Sequence, residues 1–211
     1  MVERLSVDAD RPSGAALVRA AAAIRAGGIV AYPTETYYGL AVDPCQPAAV
    51  AGLRSAKDRT AASPFPLIAA DVDQLAVLRL EWSDQGRRLA RRFWPGPLTL
   101  VLRAGVAMPE GVLGPGSTLA VRVPGCRVAR ALARAVDGPV TSTSANRSGY
   151  PPTVSPDDVA AAMGARIDLL LDGGTTPGGQ ASTVVDVTGE APRLVRAGLV
   201  AWARVLESLE A

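Results

Sequence analysis

Every apolar run in this chain is short, and proline or glycine closes almost all of them. IVAYPT (29–34), PLIAA (66–70), LTLVLRA (98–104), TLAVRVP (118–124), the stretch 139–143, and then IDLLLD, STVVDV and RLVRAG have the length of strands. None approaches the roughly 18 uninterrupted apolar residues of a membrane span. Helical stretches alternate with them. GAALVRAAAAIRA follows a candidate N-cap at Ser13 and is closed by Gly27 and Gly28. PAAVAGLRSAK (47–57) starts on proline, SDQGRRLARRFW (83–94) is capped and stopped by PGP, and helices are also expected at 71–80, 127–136, 156–163 and 201–210. Interleaved short strands and helices predict an α/β fold, a twisted mixed β-sheet flanked by helices. With 211 residues, no repeat and no linker, the expectation is a single domain over 1–211 with its core at about 13–200.

Composition nominates two positions before any motif does. Lys57 is the only lysine, the other 21 of the 22 basic residues being arginine, and Asn146 is the only asparagine. Alanine, glycine, proline and arginine abound, the signature of a GC-rich coding sequence, which tends to lose lysine and asparagine wherever a site does not need them. The chain has no histidine, which removes Ser-His and Cys-His hydrolase mechanisms. Cys45 and Cys126 stand far apart with no CxxC partner, so a structural zinc site is not expected. MVERLSVDADRP carries no apolar signal region, and the expectation is a cytoplasmic protein without a membrane anchor.

Four segments could carry chemistry. AYPTETYYGLAVDP (31–44) gathers three of the four tyrosines and two threonines at a strand end, where α/β sheets bind ligands. Lys57-Asp58-Arg59 sets a compact ammonium and a planar fork at a helix end, suited to a polyphosphate or a carboxylate. TSTSANRSG (141–149) offers hydroxyls and turn amides for phosphate or carboxylate oxygens. GGTTPGGQAST (173–183) has Gly174 and Gly179 at Walker A spacing, but Gln180 and Ala181 replace the required Lys and Ser/Thr. The Walker reading fails, and a loop covering a site, or a plain connection, is what remains.

YPTETYYGL, KDR, WPGPLTLVL, AVRVP, TSTSAN followed by SG, STVVD and VRAG occur in the order found in the YrdC family, the threonylcarbamoyl-AMP synthases also called TsaC-like, which this chain resembles from about residue 13 to 200. The resemblance implies a single YrdC-like domain with a concave basic face. It implies an enzyme, a nucleotidyltransferase, that makes threonylcarbamoyl-AMP and pyrophosphate from L-threonine, bicarbonate and ATP. The product would go to a partner complex modifying adenosine 37 of tRNA. Lys57, Arg59, Ser144 and Asn146 correspond to the family's Lys-x-Arg and Ser-x-Asn signature, with Lys57 and Arg59 as the catalytic pair. Thr34, Arg122, Ser142 and Ser182 are expected to hold threonine. Lys57, Arg59, Ser63, Thr118, Ser144, Asn146, Pro152 and Arg196 are expected to line the nucleotide, with 173–181 as a lid. ATP is a substrate, and Mg2+ would accompany it without an identified protein ligand.

The sequence departs from the family at Thr60, where proline is common, and at Ala69 or Ala70, where a histidine often stands. A non-catalytic protein of the same fold binding tRNA or double-stranded RNA is the alternative, with GRRLARRFW as its basic face. The related carbamoyl-transfer domain of hydrogenase maturation proteins belongs to a longer chain with zinc-finger-like cysteines.

Overall fold

The structure, a computed structural model, describes residues 2–12, 14–59 and 63–210. The Ser13 cap and the departure at Thr60 lie outside them. The α/β class holds, but the strands form two sheets where one was expected. The first has β1 (Glu3–Ser6), β9 (Leu169–Asp172), β2 (Val30–Tyr32), β3 (Gly39–Ala41) and β8 (Thr143–Ser144) in that order. The second runs β11 (Arg193–Arg196), β10 (Thr183–Asp186), β5 (Leu98–Arg103), β6 (Thr118–Arg122), β4 (Leu67–Ile68) and β7 (Val140–Thr141). Both mix parallel and antiparallel pairs: β9 is parallel to β1 and β2, and β10 to β5, whereas β5 and β6 are antiparallel.

The sheets divide where one strand was expected. The stretch 139–143 breaks at Ser142: β7 pairs with β4 of the second sheet, and β8 pairs with β3 of the first. Thr141 pins the junction. Its amide donates to Val42 O at 3.1 Å, and its Oγ1 accepts from Val42 N at 2.9 Å. Ser142 N donates to Pro66 O at 2.7 Å. A strand changing sheets at a small polar residue leaves Ser142 in the crevice between them.

Burial on both faces explains the continuous apolar runs of the first sheet. Val30, Tyr32, Leu169 and Leu171 pack with α1 (Ala15–Arg25) and α4 (Arg127–Val136), while Ala31 and Leu170 join the larger core on the other side. The second sheet alternates: Leu98, Leu100, Leu102, Leu119, Val121 and Val185 enter that larger core with α2 (Pro47–Ala56) and α3 (Asp84–Phe93). α5 (Pro156–Met163) and α6 (Trp202–Glu210) complete the helices. α3 and α5 begin on side-chain caps, Ser83 accepting from Gly86 N and Ser155 from Asp157 N and Asp158 N.

Two elements escape sequence reading and one changes type. β1 is a four-residue edge strand whose charged side chains pair outward, Glu3 with Arg19 and Arg4 with Asp157 and Asp172. β3 hides inside the tyrosine-rich segment. The helix expected over 71–80 is a 3-10 helix at Asp73–Leu78, ended by Arg79 in the left-handed region.

Candidate functional site

A cavity of about 860 Å³ opens between the two sheets. Its floor is the face of the second sheet that alternates with the leucines: Thr99, Ala120, Arg122, Ser182, Val184 and Arg196. These side chains are mostly small, so the sheet leaves room where a leucine would fill it. One wall is the turn 34–39 between β2 and β3. The other is the end of α2 with the turn 143–149. Gly39 lets the first wall pass close to Tyr32, since a Cβ there would stand 3.1 Å from the buried ring and push it aside.

Of the residues expected from sequence, Thr34, Lys57, Arg59, Ser63, Arg122, Ser142, Ser144, Asn146, Pro152, Ser182 and Arg196 all line this one cavity. Thr118 does not. It sits at the far end of β6 from Arg122, where its Oγ1 donates to Pro115 O at 3.1 Å. Ala69 and Ala70 are fully buried and also stand outside the lining. Thr36 and Tyr37, from the tyrosine-rich segment singled out in the sequence, line it too, and so does Thr99, which sequence reading did not flag.

Lys57 closes α2 and is only 3% exposed. Its Nζ donates to Ser144 O and to Asn146 O, each at 2.6 Å, while its own carbonyl accepts from Ser148 N at 2.8 Å. One ammonium thus holds the 144–148 turn and keeps a third N–H for the cavity. Burial, with Arg59 adding repulsion, pushes its pKa down to about 8. Arg59 stacks over Phe65 with 4.9 Å from guanidinium carbon to ring centroid, and burial first and Arg54 second lower its pKa. Arg196 reaches back to Ser182, its Nη2 donating to the carbonyl at 2.7 Å and to Oγ at 3.0 Å. Burial and then Arg122 lower its pKa as well.

The uncommon asparagine is a brace. Its Nδ2 donates to Arg147 O at 3.0 Å and Tyr150 O at 2.5 Å, and its buried Oδ1 has no partner among the described residues. Asp58 ties the same turn down from outside, pairing with Arg147 at 2.6 Å and Arg166 at 2.8 Å. Thr34 donates to Tyr37 O at 2.6 Å and accepts from Thr36 N at 3.1 Å, shaping its turn. Segment 173–181 has no regular secondary structure and is tied to that turn, Tyr37 donating to Gly179 O at 2.5 Å and Tyr38 to Gly174 O at 2.7 Å.

The electrostatic balance is one-sided. Lys57, Arg59, Arg122 and Arg196 line one cavity; Asp58 lines it too but is paired with Arg147 and Arg166, and among the described residues Glu35, paired with Arg122, is the four cations' only carboxylate partner. Converging cations, three of them (Lys57, Arg59 and Arg196) with their charge disfavoured by burial, call for an anionic ligand. Among the described residues no group of three or more His, Cys, Asp or Glu could hold a metal, and no helix is long and apolar enough to cross a membrane.

The family model Sua5_yciO_yrdC, described as telomere recombination, matches residues 22–198. The chain is 41% identical over 179 residues to the threonylcarbamoyl-AMP synthase of Pyrococcus abyssi, which covers 85% of this chain but only 53% of that relative. It is 44% identical over 158 residues to the synthase of Halorhodospira halophila, covering 73% of this chain and 81% of that one. The crystal structure of Pyrococcus abyssi Sua5 complexed with L-threonine superposes with a TM-score of 0.90 at 36% identity, over 99% of this chain and 61% of the other. The chain thus spans about half to four-fifths of the length of these relatives. An ordered motif set, a cavity built from it and likeness in both sequence and fold lead to one assignment: this chain belongs to the Sua5/YciO/YrdC family.

Proposed function

We propose that the chain is an L-threonylcarbamoyladenylate synthase, a nucleotidyltransferase that joins L-threonine, bicarbonate and ATP. The observation that carries this reading is the convergence of Lys57, Arg59, Arg122 and Arg196 on one cavity with a small, hydroxyl-bearing floor. The likeness to a relative solved with L-threonine supports it.

The four cations divide into two ends. Arg122 already shares charge with Glu35, which suits a monoanionic carboxylate, and its neighbours Ser142, Ser182 and Thr34 would surround an amino acid. Thr34 gives its proton to Tyr37 O and accepts from Thr36 N, so its part is to hold the turn that faces the amino acid. Lys57 and Arg59 have no carboxylate partner among the described residues and suit the phosphates, with Ser63, Ser144, Asn146 and Pro152 in the same lining. Arg196, bonded to Ser182 and repelled by Arg122, stands between the two ends and would reach the nucleotide from there. Thr118 is left out of the nucleotide site.

In the proposed reaction the threonine ammonium and bicarbonate condense to a carbamate, releasing water and a proton. A carbamate oxygen then attacks the α-phosphorus of ATP. The new P–O bond forms as the bond to the β-phosphate oxygen breaks, and pyrophosphate leaves. Two anions must meet, so the catalytic work is positioning and charge neutralisation, which Lys57 and Arg59 supply without any imidazole. Water must be kept from the mixed anhydride, and 173–181, tied to the turn that carries Thr34, would serve as the cover. Mg2+ would enter with the ATP phosphates, and the product would pass to a transferase acting on tRNA in the cytoplasm.

The test is mass spectrometry of the product from threonine, bicarbonate and ATP. A threonylcarbamoyl-AMP signal that needs all three is expected. Release of pyrophosphate without threonine dependence, or no product at all, would overturn the reading in favour of a binding protein of the same fold.

A further inference from the structure

Arg122 is the cavity cation with a carboxylate of its own. It is 8% exposed at the end of β6, and its Nη1 donates to Glu35 Oε1. The same oxygen accepts from Gly125 N at 3.2 Å, which fixes the carboxylate against the chain leaving β6. Glu35 does not itself line the cavity, and its side chain is 19% exposed. Its second oxygen, Oε2, is buried and has no partner among the described residues. Arg122 makes no other hydrogen bond among them, so its Nε and Nη2 are uncommitted.

An unanchored arginine loses about 2 kcal/mol of rotamer freedom when it grips a ligand. Anchoring one corner beforehand removes part of that loss and leaves the Nε–Nη2 edge, the fork that fits a carboxylate side-on. Here the pair is held through one oxygen, Oε1, which Arg122 and Gly125 share.

We infer that Glu35 is a positioning residue, holding the Nη1 corner of Arg122 so that its Nε–Nη2 edge stands ready for the carboxylate of the amino-acid substrate. The inference rests on the synthase reading and names a residue that acts through Arg122 without touching substrate. Neighbouring Thr34 and Thr36 face the cavity and Glu35 faces away, so a single turn supplies both the lining and its support.

Calorimetric titration of L-threonine into the full chain without ATP, together with steady-state kinetics, tests it. Glu35→Ala should weaken threonine binding and raise its KM about tenfold, the scale of one charge-assisted hydrogen bond. The KM for ATP should stay within about twofold, and kcat at saturating threonine should hardly move. Glu35→Gln keeps an oxygen for Arg122 and Gly125 and should recover part of the loss, with Arg122→Ala as the reference for full loss. Glu35→Ala with wild-type threonine affinity, or with threonine and ATP affected equally, would overturn the inference alone. A wild-type chain that does not bind threonine would instead overturn the synthase reading.

Discussion

The two faces of the six-stranded sheet share a backbone but not a purpose. On one, Leu98, Leu100, Leu102, Leu119, Val121 and Val185 pack into the larger core with no measurable exposure. On the other, Thr99, Ala120, Arg122, Ser182, Val184 and Arg196 floor the cavity. The leucine face gains from every methylene it hides. The cavity face gives up that burial and gathers cations that repel each other. A folded state tolerates this because its neighbour, one residue along each strand, is so well packed. Stability and function are thus separated by the pleat, and each can be damaged alone.

Adjacent residues give the largest contrast. Leu100→Ala should cost about 2–5 kcal/mol through lost burial and the cavity left behind. In a chain of this size that lowers Tm by roughly 4–20 °C, since about 2–4 °C accompanies each kcal/mol. Its KM values should stay close to wild type while the protein remains folded. Thr99→Val keeps the shape and removes one hydrogen bond, the 2.9 Å contact with Ser182 Oγ, so Tm should fall little. Ser182 then loses a restraint, and substrate KM should rise a few-fold. Thermal melts beside steady-state kinetics check both, and a Leu100→Ala enzyme with damaged KM values at full Tm would break the separation.

Lys57 lies off the sheet and joins the two roles the faces keep apart. Its Nζ sits 2.6 Å from two carbonyls in a site with 3% exposure, so a planar guanidinium has no room without moving the 144–146 turn. Lys57→Arg should lower kcat at least tenfold, the low end for a lost transition-state contact. Because the turn must shift, Tm should drop as well. The measurement is pyrophosphate release with a melt on the same sample. Wild-type turnover would take the lone lysine out of the catalytic step and leave it the turn it holds.

Much of this was legible in the chain. Runs buried on both sides, such as IVAY and DLLLD, are recognisable because both cores demand apolar residues. Lys57 and Asn146 stood out because composition bias removes such residues elsewhere. The break at Ser142 was not legible: Thr141 and Thr143 are both good strand residues, and only the partners β4 and β3 place them in different sheets. Glu35 was hidden for a similar reason. Its pairing with Arg122 spans 87 positions, and no local spacing announces it. Thr118 shows the limit of carrying a site over by position, since a residue can sit on the cavity-facing side of its strand and still not line the cavity.

The smallest expected effect is a pH dependence with two opposite signs. The pKa of Lys57 falls from 10.5 to about 8 on folding, because burial and Arg59 disfavour the ammonium. Between those values the unfolded chain binds the proton more tightly, so this group makes the protein more stable as pH rises through that window. Below pH 8 both states are protonated and the penalty of burying the charge is constant. ATP binding should move the other way, since phosphates need the ammonium and raising pH removes it. If the bound lysine stays protonated, ATP affinity should be roughly fourfold weaker at pH 8.5 than at pH 7, by proton linkage at a free pKa of about 8. Calorimetry across that range reads it directly, with Lys57→Met expected to bind weakly and without this slope. Since the stability term runs in the opposite direction, a loss of affinity cannot be charged to Lys57 loosening the fold. A wild-type affinity that does not change between pH 7 and 8.5 would take Lys57 away from the phosphates and leave it only the turn it holds.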